Sequence, residues 1–263
     1  MSHPVEDVVG YKVSTLGVQA CMADVMAWIT KQDADEIGQC RWLACLNPHS
    51  YAVALGDNLF SLALRASDWL VADGTGVVLA SRILGGTIRE RVTGSDIFRG
   101  VMEALDRSNG GSVFFLGATD ETLAAIRRRM AVDFPHVRIA GTCSPPFKQT
   151  FSDEDNGMMV AAVNAANPDV LWVGMSAPKQ EKWLHEHCGL LNVRFAAAVG
   201  AVFDYYTGRV SRAHPVLQRM GLEWLPRLMQ EPMRLWRRMF ISAPIFLWHV
   251  LCARAKSLAS HKF

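Results

Sequence analysis

An apolar run that ends in a carboxylate flanked by glycines, VADGTG at 71–76, is one place in this chain where chemistry could be done. Asp73 there has two readings. It caps a helix starting at Gly76, or it faces a ligand as a general base, with Gly74 keeping the space beside it open. Arg91 follows Glu90 in RERVTG and is either half of a surface ion pair or a contact for phosphate. In SAPKQEKW, Pro178 suits the first turn of a helix. Lys179 and Gln180 would then stand at a helix N-terminus, where Gln180 can hydrogen-bond a sugar, and Glu181 can close a capping box from around Ser176 or Ala177. Arg227, Arg234, Arg237 and Arg238 crowd one segment. The spacings 227, 234 and 238 fall near one face of a continuous helix, so these forks suit a diphosphate unless they form a plain solvated face. Asn47 ends another apolar run, as a sugar or base contact or as a turn before Pro48. Asp204, in VFDYY, could orient a tail arginine, with a structural role as the plainer reading.

These residues need a scaffold, and the pattern around them supplies one. Short apolar runs at 42–47, 68–73, 112–117, 137–141, 169–175 and 194–200 read as strands. Helical patterns at 50–65, 76–84, 96–105, 121–134, 153–166 and 178–187 lie between them. Strands apolar throughout, alternating with helices, indicate a parallel sheet covered on both faces, a Rossmann-like, doubly wound α/β fold. Ligands of such sheets bind outside the carboxyl ends of the strands. Those ends carry Asn47, Asp73, Gly74, Gly117, Gly141, Gly174 and Gly200. The helix N-termini that follow favour phosphate, so the crevice suits a nucleotide or nucleotide-sugar. Neither the phosphate-binding loop of NTPases nor a full G-x-G-x-x-G is present.

After Asp204 no further strand is expected. The boundary near residue 208 divides a catalytic core, 1–208, from a basic amphipathic helical appendage, 209–263. From Tyr205 onward the chain has ten Lys/Arg against Glu223 and Glu231, net +8 in a protein of net +2. That asymmetry suggests an anionic partner. The apolar stretch 239–253 is short of a span and has arginines on both sides, so it is expected to touch a bilayer rather than cross it. Trp224, Trp236 and Trp248 alternate with arginine as in an interfacial helix, although core packing also suits Trp224. The six cysteines make no C-x-x-C pair and read as reduced thiols. The N-terminus lacks the features of a signal peptide. Lone histidines such as His185 and His187 read as surface residues. No metal-ligand spacing is apparent, and no metal, cofactor or nucleic-acid partner is expected.

Four stretches, ADGTGVVLAS, LGGTIRERVTGSD, VGMSAPKQEKW and AVGAVFDYYTGRVSRAHP, followed by GLEWLPRLMQEPMRLWRR, resemble in order and spacing the WecG/TagA/CpsF glycosyltransferase family. The likeness runs from about Thr15 to Arg238. It implies an inverting, metal-independent enzyme at the cytoplasmic membrane face that moves a sugar from a UDP-sugar to a sugar on a polyprenyl diphosphate. In that frame Asp73 is the catalytic base. Asn47, Gly74, Arg91, Gly174, Lys179 and Gln180 bind substrate, and Arg227, Arg234, Arg237 and Arg238 serve the acceptor diphosphate and the membrane. Two departures bear on donor choice: Pro48-His49 after Asn47, and a histidine inside R-A-H-P at 212–215. General likeness favours an exopolysaccharide branch that adds β-1,4-glucose. An N-acetylmannosamine or mannosaminuronate transferase is the alternative. Self-association through the tail is a further expectation. A non-catalytic nucleotide-binding membrane scaffold and a soluble dinucleotide oxidoreductase are the rivals from other classes.

Overall fold

A computed structural model describes residues 3–31, 39–108, 110–209 and 236–260. An antiparallel hairpin opens it, β1 (Val5–Val8) and β2 (Tyr11–Ser14), followed by helix α1 (Val18–Ile29). Then come β3 (Arg41–Leu46), α2 (Pro48–Ala54), α3 (Asn58–Ala66), β4 (Trp69–Ala72), α4 (Thr75–Leu84) and α5 (Gly94–Arg107). The second half holds β5 (Ser112–Gly117), α6 (Asp120–Asp133), β6 (Arg138–Cys143), α7 (Asp153–Ala166), β7 (Val170–Gly174), α8 (Lys179–His187), β8 (Phe195–Ala198) and the short α9 (Val202–Tyr206). A π-helical turn, Arg238–Ser242, leads into α10 (Ala243–Ser260).

Six strands form one sheet in the order β4-β3-β8-β7-β5-β6, parallel at every pairing. The expected doubly wound α/β fold is present, and strands and helices lie within a few residues of the expected bounds. Two regions differ. The helix expected over 50–65 is two helices, because Asp57 leaves helical geometry and caps α3 by accepting from Phe60 N–H. The hairpin, α1 and α9 were not anticipated.

Because side chains alternate along each strand, the sheet divides the core in two. Trp42, Ala44, Leu46, Leu70, Ala72, Phe114, Leu171 and Ala196 face α2, α3, α4, α7, α8 and the hairpin. Leu43, Trp69, Val71, Phe115, Trp172, Phe195 and Ala197 face α1, α5, α6 and α9. Phe246 and Val250 of α10 join the first cluster, where α10 packs on α2 and α4. The six cysteines are free thiols. No helix among the described residues is long and apolar enough to cross a membrane.

Candidate active site

A cavity of about 1030 Å³ lies across the carboxyl ends of the six strands. That is at the upper end of small-molecule sites and has room for a nucleotide-sugar and part of an acceptor. Of the expected site residues, Asn47, Asp73, Gly74, Arg91, Gly174, Lys179, Gln180 and Arg238 all line it. Arg237 is described but exposed and does not line the cavity. Arg227 and Arg234 fall outside the described residues, as do Trp224 and the R-A-H-P segment.

Sheet register brings the central pair together. Leu46 of β3 is paired with Ala72 of β4, so the next residues, Asn47 and Asp73, leave adjacent strands side by side. Asp73 N–H still donates to Leu46 O at 2.8 Å, which extends the ladder by one bond. Asn47 Nδ2 donates to Asp73 Oδ2 at 3.2 Å. The same Asn47 caps α2: its Oδ1 accepts from the N–H groups of His49 and Ser50, and the Ser50 hydroxyl takes Asn47 N–H in return. The amide is therefore held at its oxygen by the helix, and its NH₂ is aimed at the carboxylate.

Asp73 is not the N-cap residue of α4. The N-cap is Gly74, which has no side chain to offer. Its φ of +93° lies where an L side chain is strained, and a Cβ there would meet nothing within 4 Å. The open space beside the carboxylate is thus a property of Gly74. Gly174 has a different reason for being glycine. A Cβ on it would lie 2.2 Å from the Phe203 ring, so the missing side chain admits Phe203 of α9 rather than a ligand.

The β7–α8 corner is more enclosed than its sequence suggests. The N-cap of α8 is Pro178 and no side chain caps that end, so the capping box expected for Glu181 does not form. Instead Gln180 Nε2 donates to Glu181 Oε1 at 2.9 Å, and Gly200 N–H donates to Gln180 Oε1 at 3.0 Å. Gln180 is thereby committed to tying α8 to the turn after β8, with one amide hydrogen left over. Both side chains are buried, at 4% exposure each. Burial pushes the Glu181 carboxyl up to about 7, against the pull of the Gln180 hydrogen bond. It also raises the Cys45 thiol well above its usual range, helped by the nearby Asp73 and Glu181 carboxylates.

Lys179 does not reach toward Asp73. Its amine donates to the Lys148 carbonyl and lies 4.9 Å from the centre of the Phe151 ring. This fastens the loop after β6 to α8. Lys148 in turn pairs with Asp155 at 2.8 Å and holds that carboxyl low, at about 2. Asp204 lines the cavity from the first turn of α9. His187 is half-buried, stacked on Trp183 with Nδ1 2.8 Å from the Trp183 carbonyl, so it is not a plain surface residue; His185 is also half-buried.

Two participants, Arg209 and Tyr51, escaped the sequence reading, and a third, His49, entered it only as a departure from the family pattern. Arg209 lines the cavity and donates to Thr122 Oγ1 at 3.0 Å; its place after TG in YYTGRV carried no spacing signal. His49 also lines the cavity, with Nδ1 2.9 Å from the Ser242 hydroxyl, and Tyr51 OH lies 2.6 Å from His249 Nδ1. These two contacts join α2, which starts at Asn47, to the C-terminal helix. Only a partner 193 to 198 residues away in the chain gives them meaning. Among the described residues no cluster of three His, Cys, Asp or Glu could hold a metal ion.

The arrangement suits acyl- or glycosyl-type transfer: a carboxylate oriented by an amide, arginines around the walls and helix N-termini at the floor. Comparison with known proteins agrees. Residues 6–260 match the model of the glycosyl transferase WecG/TagA/CpsF family. An N-acetylglucosaminyldiphosphoundecaprenol N-acetyl-β-D-mannosaminyltransferase of Bacillus spizizenii is 30% identical over 84% of this chain and 82% of its own length. Enzymes of the same name from Bacillus subtilis and Staphylococcus aureus are 28% and 24% identical, over 80% and 95% of this chain and 78% and 93% of their own lengths. None of these relatives is named as a glucosyltransferase, so the preference for glucose finds no support, and the mannosaminyl alternative is the better backed. A match over nearly the whole length displaces the scaffold and oxidoreductase readings: the chain is a glycosyltransferase and belongs to the WecG/TagA/CpsF family.

Proposed function

We propose that the chain transfers an N-acetylmannosaminyl or mannosaminuronyl residue from its UDP-sugar to a sugar carried on a polyprenyl diphosphate, with inversion. The observation that carries this is the Asn47–Asp73 pair at the end of the sheet, together with relatives named for mannosaminyl transfer to N-acetylglucosaminyldiphosphoundecaprenol. Asp73 takes the proton of the acceptor hydroxyl as that oxygen attacks the anomeric carbon. Asn47 keeps the carboxylate pointed at the cavity. The departing UDP gains negative charge, which Arg91, Arg209 and Arg238 on the walls offset.

The acceptor's lipid places the reaction at a membrane surface. The apolar outer side of the C-terminal helix supports docking there as a peripheral protein, on the cytoplasmic face where nucleotide-sugars are made. Arg227, Arg234 and Arg237 then supply cations for the acceptor diphosphate or anionic lipid.

The test is transfer from UDP-N-acetylmannosamine, its uronate and UDP-glucose to a short-chain N-acetylglucosaminyl-diphospho-lipid, with EDTA present. Transfer of a mannosamine sugar in EDTA supports donor and metal independence together. Transfer of glucose alone would restore the exopolysaccharide branch and end this proposal.

A further inference from the structure

Glu181 is a buried carboxyl that the reaction as drawn above does not use. One oxygen, Oε1, takes the Gln180 amide. The other, Oε2, is sealed from solvent and has no hydrogen-bond partner among the described residues. A fully buried, half-satisfied carboxylate is costly, and the low-cost way to keep it is as the neutral acid. Its neighbours on other elements do not neutralise it. Cys45 of β3 stays a thiol, and Asp73, beyond it on the turn after β4, is itself an acid. On α8, Lys182 is taken by Asp57 of α3 at 2.5 Å. Asp204 and Tyr205 of α9 line the same cavity and add no cation, and the cations that do line it, Arg91, Lys179, Arg209 and Arg238, do not offset the burial of Glu181.

We propose that Glu181 is a positioning residue that works as a neutral acid, fixing the Gln180 amide so that its carbonyl holds Gly200 N–H and sets the wall formed by the turn between β8 and α9. That wall, Val199 to Tyr205, lines the cavity that also holds Asp73. Gly200 sits at φ +57°, a geometry that the Gln180 bond helps to hold. Ionised Glu181 would strengthen its pull on Gln180 but would place a second buried negative charge near the base and the donor diphosphate. The inference deepens the proposed glycosyl transfer and rests on it for its kinetic readout, but its protonation readout needs no substrate.

The linkage follows from the direction of the shift. The folded state keeps the Glu181 proton up to about pH 7, whereas the unfolded chain loses it at an ordinary glutamate value. Stability from this group is therefore full below the unfolded value and is lost as pH rises to about 7. The experiment is thermal melting of the whole protein from pH 5 to 8 for wild type, Glu181→Gln and Glu181→Leu, with transfer rates over the same range. Glu181→Gln, which keeps the acceptor and carries no charge, is expected to melt with a flatter pH dependence than wild type. It should keep kcat within about twofold at pH 6 and lose the fall in rate above pH 7 that this role predicts for wild type. Glu181→Leu, which cannot take the Gln180 amide, is expected to lower kcat about tenfold or more with a smaller change in donor KM. Parallel melting curves for wild type and Glu181→Gln would overturn the neutral-acid role. So would a folded Glu181→Gln as impaired as Glu181→Leu. If wild type transfers no sugar, the proposed reaction fails, while the melting curves still decide the state of Glu181.

Discussion

Helices α5 and α10 have opposite outer surfaces. The first buries Ile97, Phe98, Val101, Met102 and Leu105 against the sheet and turns Arg99 and Arg107 to solvent, the ordinary arrangement of a surface helix. Arg99 and Glu103 form an i,i+4 ion pair at 2.8 Å on that outer side. In α10 and the turn before it, the inner contacts are Ser242, Phe246 and Val250. Facing out are Phe240, Ile241, Leu247, Leu251 and Trp248, the last 65% exposed. A helix apolar on both sides needs a second apolar medium, and the proposed reaction, with its lipid-linked acceptor, offers a bilayer surface as that medium. Arg238 and Met239 of the turn before this helix, and Ala243 at its start, also line the cavity. The proposed chemistry and the proposed docking thus use separate surfaces that meet at one edge.

The largest effect expected from this division is on chemistry alone. Asp73→Asn should lower transfer by about 10²–10⁴-fold, the usual loss on removing a general base. Binding to anionic vesicles should not change. Loss of vesicle binding together with activity would mean that the two surfaces are not separate.

The complementary change is Trp248→Glu with Leu251→Glu. Burying two large side chains in the bilayer interface contributes a few kcal/mol, so vesicle affinity should fall about 100-fold in co-sedimentation. Transfer to a water-soluble short-chain acceptor should stay within about twofold. Unchanged sedimentation would assign the apolar face to something other than lipid.

The contrast between the two helices also explains what could be read from the chain. The sheet was legible because runs such as SVFFLG are buried on both faces and can be little else. Asp73 was legible because its neighbours isolate it, an apolar strand before and Gly74 after. Gln180 was picked out, but its engagement by Gly200 and Glu181 was not, since neither bond follows from spacing along α8. The preference of Gly174 for Phe203 over a ligand was equally hidden, because it depends on α9 folding back over β7. The hairpin was missed because its two strands are only four residues each and joined at Val9-Gly10, too short for alternation to show. The split of 50–65 into α2 and α3 turned on one cap, Asp57, inside an otherwise continuous helical pattern.

A smaller effect is expected at the junction of chemistry and frame. Asn47→Ala removes an N-cap, costing about 1 kcal/mol of stability, and releases the Asp73 carboxylate from its amide. Transfer should drop about tenfold, mostly in kcat, because the base is misaimed rather than lost. Asn47→Asp separates the two roles. It retains a cap but presents a second negative charge to Asp73, so the melting temperature should recover while activity does not. Recovery of both would make Asn47 only a cap.

Tyr51→Phe should give the smallest effect and bears most directly on how the two surfaces communicate. The Tyr51 hydroxyl bonds His249, while its ring packs edge-on against Phe246 at 5.1 Å and Tyr11 at 5.9 Å. The ring remains in the variant, so only the hydrogen bond is lost, worth about 1 kcal/mol. Tyr51 is on α2, four residues after Asn47, and His249 is one residue after the exposed Trp248. If α10 is merely fastened to the core, Tyr51→Phe lowers the melting temperature by a few degrees and leaves kcat alone, with or without vesicles. If the seating of α10 on α2 adjusts the helix that Asn47 caps, the variant loses part of any rate gain that vesicles give the wild type, while its rate without them is unchanged. Measuring both rates on one preparation separates a fastener from a coupling, because stability alone moves in the first case and the lipid response moves in the second.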